Sequence, residues 1–483
     1  MTSLPSFLMQ SEFIFKSSSR RLIVLFLGWG MDASPFRHLA RSGFDILALW
    51  DYTGLDRPGS WERDMTELAS VCGGYDEVVI VAWSYGVRIA SGFLESWNAS
   101  LPVTLTLAVN GTPMHVDERY GIPPAIFDGT LQRLAEPTIR KFYRRMFSSS
   151  EAFAGFLECK PDRSAESLKS ELEVFARLKP LDAGELWNVA LIDDADLIFP
   201  SAAQRAFWPS EKAVTLGSQG HFPDFQSILD RFTVDKSLVG RRFSAARETY
   251  RRGAFVQRRV AESLWSRVEP LIEGKRDFGR IIEVGAGTGV LTELYEMALT
   301  CGGCRWSSLE LWDLAEHFGM LPSNASWLTC DAETCIRSVE PESVNLLLSS
   351  STLQWFHSPE RFVAEAYRVL RKGGIAAFAL YGEGTFSQLR ELTGVSLRYP
   401  SLATLKAALP ADAIIVVGET ESISMDFASP KELLRHLRET GVNGATEPSP
   451  ALALRIARHY PASPDGRYRL SYCPLYLIFR KPV

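Results

Sequence analysis

The sequence predicts an α/β protein with mainly parallel sheets, arranged in more than one domain. Three observations carry that prediction. Apolar runs of strand length recur, separated by helical patterns, as expected of strands buried on both faces. One run opens onto a serine and then a helical segment, Trp83-Ser84-Tyr85-Gly86. Another opens onto a glycine loop, Gly285-Ala286-Gly287-Thr288-Gly289. At 483 residues the chain is also too long for one ordinary core.

Composition is that of a folded protein, with 46% hydrophobic and 23% charged residues. A net charge of −5 argues against bulk nucleic-acid binding, so no nucleic-acid partner is expected. The seven cysteines are scattered and no basic, apolar leader precedes them, which points to a reducing cytoplasm. The early run Leu22 to Leu27 is far too short to span a bilayer, and no membrane partner is expected. Cys301 and Cys304 form a CxxC without a second pair at zinc-like spacing, so no metal site is expected.

In the first half, Leu22–Leu27 stops at Gly28-Trp29-Gly30-Met31-Asp32. Phe44–Trp50 ends at Asp51-Tyr52, and Glu77–Trp83, Val103–Asn110 and Val189–Ile192 complete five predicted strands. The third runs through Ser84 into a helical pattern, Val87 to Leu94. That is the setting of a nucleophile elbow, where a sharp turn lifts the hydroxyl above the sheet. The usual pattern is Gly-x-Ser-x-Gly, and here Ala82 takes the first glycine's place. An ordinary serine at a β–α turn is the competing reading.

A serine hydroxyl attacks only with a base and an orienting acid beside it. On this architecture they follow in the order Ser, Asp, His. Asp196 follows the fifth strand in Asp196-Leu197-Ile198-Phe199-Pro200, and His221 follows in Gly220-His221-Phe222-Pro223. Asp193 and Asp194 compete for the acid's place. Acyl transfer also needs two oxyanion donors. The backbone N–H groups of Tyr85, after the nucleophile, and Trp29, after the first strand, are the candidates.

A helical insert is predicted between Pro113 and Pro180, where it would cap the site. In it Arg140, Lys141, Arg144 and Arg145 cluster at helical spacing, either as a solvated face or as a docking site for an acidic partner.

The motifs Gly28 to Asp32, Asp51-Tyr52, Ala82 to Val87, Val109-Asn110-Gly111-Thr112-Pro113 and Gly220 to Pro223 resemble the short pimeloyl-[acyl-carrier protein] methyl ester esterases of biotin synthesis. The resemblance covers roughly residues 10–230 and implies an α/β-hydrolase fold with Ser84, Asp196 and His221 as its triad.

Arg231 to Gly240 reads as a polar bridge. It places a hydrolase domain over 1–232 with its cap at about 113–180, a linker over 233–240 and a second domain over 241–483. The second domain opens with a basic helical stretch carrying Arg241, Arg242, Arg247, Arg251, Arg252, Arg258 and Arg259. Phe243, Tyr250 and Phe255 recur along it at helix-like spacing. It is either a flap over a cofactor site or an amphipathic helix packed on its own domain.

Ile281 to Val284 then leads through Glu283 into Gly285, Gly287 and Gly289. Glu310 closes the next apolar run, near the spacing at which a carboxylate accepts from ribose hydroxyls. Asp331 follows Trp327 to Cys330. The Gly-x-Gly-x-Gly spacing is not the dinucleotide pattern, so no pyrophosphate is implied. This resembles a Rossmann-like class I S-adenosylmethionine-dependent methyltransferase, with the acid at Asp331 accepting from the adenine amino group. Further on stand Thr352-Leu353-Gln354-Trp355, a helix end at Leu370 to Gly374, a strand Ile375–Leu380, Thr385-Phe386, Glu439-Thr440-Gly441 and a closing strand Tyr472–Lys481. Together these look like malonyl-[acyl-carrier protein] O-methyltransferase, the family that opens biotin synthesis.

The two resemblances imply a cytoplasmic bifunctional enzyme acting on acyl-carrier-protein substrates. It would methylate the malonyl carboxyl and later hydrolyse the pimeloyl methyl ester. A carboxylate is already ionised at neutral pH, so the methyltransferase needs neither a base nor a metal. Arg398 is one candidate to hold the carboxylate. A methyltransferase fused to an inactive hydrolase-like docking module is the alternative.

Overall fold

The computed structural model describes residues 7–55, 57–97, 100–316, 321–322, 324–393, 397–440 and 450–483. Gly441 and the side chain of Arg251 lie outside the described residues. The chain divides into two compact units, Met1–Leu229 and Asp230–Val483. No helix among the described residues is long and apolar enough to cross a membrane.

The first unit is built on β1 Gln10–Phe15, β2 Arg21–Phe26, β3 Asp45–Trp50, β4 Glu77–Trp83, β5 Val103–Val109, β6 Val189–Ile192 and β7 Ala213–Thr215. They form one sheet in the order β1-β3-β2-β4-β5-β6-β7. All neighbours run parallel except β1, which lies antiparallel along β3. The central strand β4 is buried at every position, as its unbroken apolar run requires. Helices α1 Ser60–Gly73 and α2 Gly86–Trp97 follow β3 and β4. The expected insert is helical: α3 Pro124–Gln132, α4 Glu136–Arg145, α5 Ser150–Glu158 and α6 Ala165–Arg177. Ser149 and Ser164 cap α5 and α6, each accepting from a backbone N–H in the first turn. Helices α7 Ser201–Phe207 and α8 Phe225–Phe232 follow, and the division between units falls within α8.

In the second unit α9 Lys236–Gly253 and α10 Phe255–Val268 precede β8 Arg280–Val284, α11 Val290–Cys301, β9 Ser308–Asp313 and β10 Ala325–Thr329. Then come α12 Ala332–Cys335, β11 Val344–Ser350, α13 Pro359–Val369, β12 Leu370–Tyr381, β13 Ile414–Thr420, β14 Ile423–Phe427, β15 Tyr468–Tyr472 and β16 Pro474–Arg480. The main sheet runs β10-β9-β8-β11-β12-β16-β13, with β16 antiparallel to both neighbours. The chain leaves β8 toward β9 on one side and returns to β11 on the other. Their shared carboxyl ends are therefore a topological switch point, where such sheets open a crevice.

Three local readings change. The segment 236–240, read as linker, is helical because Asp235 caps α9 by accepting from Leu238 N–H. The basic stretch is two helices broken at Ala254, and Phe255 is 64% exposed rather than sharing the face of Phe243 and Tyr250. Leu370 to Gly374 begins a strand, not a helix end. Gly373 at φ +70° and a register shift against β11 let the chain enter the sheet there.

Candidate active sites

Ser84 stands between β4 and α2 with φ +57°, a conformation that non-glycine residues seldom adopt. The turn is held by a close approach at Gly86, where a Cβ would lie 2.4 Å from the Phe26 carbonyl oxygen. Ala82 lies fully buried inside β4. His221 Nε2 is 2.9 Å from Ser84 Oγ, and its Nδ1 is 2.8 Å from Asp196 Oδ2. With Nδ1–H donated to the carboxylate, Nε2 is left to accept the serine proton. Asp196 is itself fixed by the N–H groups of Ile198 and Phe199 at 2.8 and 2.9 Å. The competing acids are engaged elsewhere. Asp193 accepts from the N–H groups of Ala195 and Gln219, and Asp194 pairs with Arg205.

All three side chains are buried. Trp29 and Tyr85 flank Ser84, since a Cβ on Gly28 would come within 2.9 Å of the serine Cβ. Among the described residues neither the Trp29 nor the Tyr85 backbone N–H donates to a protein acceptor. Two unspent donors beside a histidine-paired serine are the arrangement an oxyanion requires. His115, by contrast, packs on Tyr85 and Phe175, and burial lowers its imidazole to about 4. Arg140, Lys141, Arg144 and Arg145 all lie exposed on α4. Arg144 and Arg145 donate to the carbonyls of Phe147 and Leu197.

In the second unit a cavity of about 650 Å³ opens at the switch point. The glycine loop forms one wall, and a Cβ on Gly285, at φ +72°, would collide with Thr352 Oγ1. Glu283 is buried beneath the loop and accepts from Thr292 Oγ1 and Tyr295 OH at 2.6 and 2.7 Å. Burial pushes its carboxyl up to about 7. Asp331 lines the cavity, caps α12, and lies 2.7 Å from Lys236 Nζ.

Glu310 is not in the cavity wall. It sits within β9, pairs with Arg280 of β8 at 2.6 Å, and the strand continues through Leu311 and Trp312. The acid at the strand's end is Asp313, which lines the cavity and accepts from Gly287 N–H at 2.9 Å. Reading the strand three residues further would have found it. Lys236 was also missed, because its partners Asp331 and Glu333 are distant in sequence. Arg398 pairs with Glu360 at 2.6 Å and does not line the cavity. Helix α9 does line it, through Val239, Phe243 and Tyr250 among others, which favours the flap over the plain packing helix.

The cavity also carries buried polar atoms without partners among the described residues: both amide atoms of Gln257, Ser350 Oγ and Trp355 Nε1. Such atoms call for a polar ligand. An acid at the end of β9, another after β10 and a glycine loop after β8 fit a nucleoside with a polar tail.

The fold and sites thus define an α/β-hydrolase unit followed by a class I methyltransferase unit. Residues 9–234 match the family model described as pimeloyl-ACP methyl esterase BioG, and residues 282–378 match a methyltransferase-domain model. A malonyl-[acyl-carrier protein] O-methyltransferase of Bacteroides fragilis (strain 638R) is 34% identical over 479 residues, 96% of this chain and 93% of that protein. One from Bacteroides helcogenes is 32% identical over 279 residues, covering 51% of this chain and 98% of its own length. The crystal structure of BioG from Haemophilus influenzae is 28% identical and covers 44% of this chain and 94% of that one, with a TM-score of 0.36. The chain belongs to the malonyl-[acyl-carrier protein] O-methyltransferase family, in a form that carries a BioG domain ahead of the methyltransferase domain.

Proposed function

We propose that the protein makes and later removes a methyl ester on carrier-protein substrates of biotin synthesis. The second unit methylates the free carboxyl of malonyl-[acyl-carrier protein], and the first hydrolyses the methyl ester of pimeloyl-[acyl-carrier protein]. Kinship with malonyl-[acyl-carrier protein] O-methyltransferases supports the first activity. The Ser84–His221–Asp196 relay beside two unspent N–H donors supports the second.

Bound S-adenosylmethionine supplies an electrophilic methyl group. Asp313, which lines the cavity where Glu310 does not, would accept from the ribose hydroxyls, and Asp331, paired with Lys236, would accept from the adenine amino group. The Gly285 to Gly289 loop admits the polar tail, and Gln257 and Ser350 offer it partners. The acceptor carboxylate arrives ionised, so the residues here align it and exclude water rather than move a proton. In the hydrolase unit His221 takes the Ser84 proton as Oγ attacks the ester carbonyl and returns it to the departing methanol. Asp196 holds the imidazole throughout, and water then releases the acid. Exposed Arg140, Lys141, Arg144 and Arg145 offer an acidic carrier protein a seat.

The test is release of free acid from pimeloyl-carrier methyl ester by the full chain and its Ser84→Ala variant. Cleavage by the wild type alone supports the triad and substrate together. Cleavage by neither points to a docking module without hydrolase chemistry.

A further inference from the structure

The loop Gly28 to Asp32 carries the Trp29 N–H, one of the two oxyanion donors. Its own sequence does not hold it still. Two of its residues are glycines, and Gly30 sits at φ +84°. Among the described residues, every hydrogen bond that residues 29–32 make beyond the loop and its neighbour Ser34 reaches the helical insert. Trp29 Nε1 donates to the Leu168 carbonyl at 2.9 Å. Tyr143 OH donates to the Gly30 carbonyl at 2.9 Å. Arg163 Nη1 donates to the Met31 carbonyl at 3.3 Å, and the Asp162 N–H donates to Asp32 Oδ2 at 2.7 Å. The Phe142 ring meets the Trp29 ring edge-on, with centroids 4.7 Å apart.

The sheet therefore sets the serine, while the insert sets the donor. The other donor, Tyr85 N–H, follows the nucleophile on the elbow itself and needs no such support. The insert is in turn anchored to the loop after β3. Arg163, with a side chain 5% exposed, binds Glu171 at 2.7 Å and Asp51 at 3.0 Å, and Glu171 accepts from Tyr52 N–H at 3.1 Å. Burial raises the Glu171 carboxyl above the ordinary glutamate value, and the Arg163 guanidinium opposes that rise.

We propose that the insert is part of the catalytic apparatus rather than only a cover: Tyr143 and Phe142 are positioning residues that aim the Trp29 N–H at the oxyanion. This rests on the hydrolase reading of the first unit. Tyr143 touches no reacting atom. It acts through the Gly30 carbonyl, one residue from Trp29.

The test uses the full chain and a soluble carrier-free ester, p-nitrophenyl butyrate, so that carrier docking plays no part. Removing one oxyanion donor outright costs about a hundredfold or more in kcat. Mis-aiming one should cost less, so Tyr143→Phe is expected to lower kcat about tenfold with KM nearly unchanged. Affinity for a trifluoromethyl ketone, whose adduct bears the oxyanion, should fall by a similar factor. Phe142→Leu, which keeps an apolar side chain, should act in the same direction. Unchanged kcat in both variants, or a change confined to KM, overturns the inference while leaving the hydrolase reading intact. Wild-type protein that neither turns over the ester nor takes a fluorophosphonate on Ser84 removes the hydrolase reading, and this inference falls with it.

Discussion

Glu283 is a carboxyl that the chain buries and then supplies with two hydroxyl donors, Thr292 and Tyr295. Burial outweighs those bonds and lifts its pKa from 4.5 to about 7. The native state therefore keeps a proton that the unfolded chain releases near 4.5. The resulting contribution to stability is fully present below 4.5 and is lost as pH rises through about 7. Glu283→Gln keeps an acceptor for both hydroxyls and has nothing to ionise. The Tm of the wild type relative to this variant should thus fall between about pH 5 and about pH 8. A constant difference across that range would show that the carboxylate is not strained by its burial. This residue was legible in the sequence because it belongs to the strand and loop that define the site. The acid that lines the cavity at the end of β9 was not, since Glu310 and Asp313 both follow apolar residues. Only the strand's true end, set by burial of Leu311 and Trp312, separates them.

Helix α4 presents two unlike faces. Ile139 and Tyr143 are buried, and Tyr143 reaches the oxyanion loop, while the basic residues lie outward. Its amphipathic spacing made the helix readable, but its inward contact joins residues far apart in sequence and left no local signal. The strands were legible for the opposite reason, since burial on both faces writes an unbroken apolar run. Edge strand β1 escaped notice because it is only half buried and its polar residues interrupt that pattern. The outward face of α4 invites a charge test, and the four basic residues are not equivalent probes. Arg144 and Arg145 brace the carbonyls of Phe147 and Leu197, so reversing them would disturb the insert itself. Arg140 and Lys141 make no hydrogen bond or ion pair among the described residues. Arg140→Glu with Lys141→Glu should raise KM for a carrier-linked ester about tenfold at low salt, with kcat nearly constant. The effect should shrink toward physiological ionic strength. An unchanged KM would mean that the carrier does not dock on this face.

On the scale of the whole chain, the proposed activities oppose each other and are present in equal numbers by construction. A hydrolase that cleaved every methyl ester would undo each methylation and waste the methyl donor, so the reading proposed for the two units predicts a hydrolase that selects by chain length. The structure offers a physical means. Ser84 is only 5% exposed, and on the loop beside it the Trp29 ring packs against Phe142, itself packed on Tyr143, so an acyl chain that reaches these aromatics gains by every methylene it buries. A pimeloyl ester carries four more methylenes than a malonyl ester, and at about 0.8 kcal/mol for each one buried the difference is about 3 kcal/mol. That corresponds to roughly a hundredfold in kcat/KM. Supplied with malonyl-carrier protein and S-adenosylmethionine, the full chain should therefore accumulate malonyl methyl ester, while pimeloyl methyl ester given to the same preparation disappears. Mass spectrometry of the intact carrier would follow both. Equal turnover of the two esters would mean that selectivity lies outside this chain, in the rate at which elongation removes the short ester before Ser84 meets it.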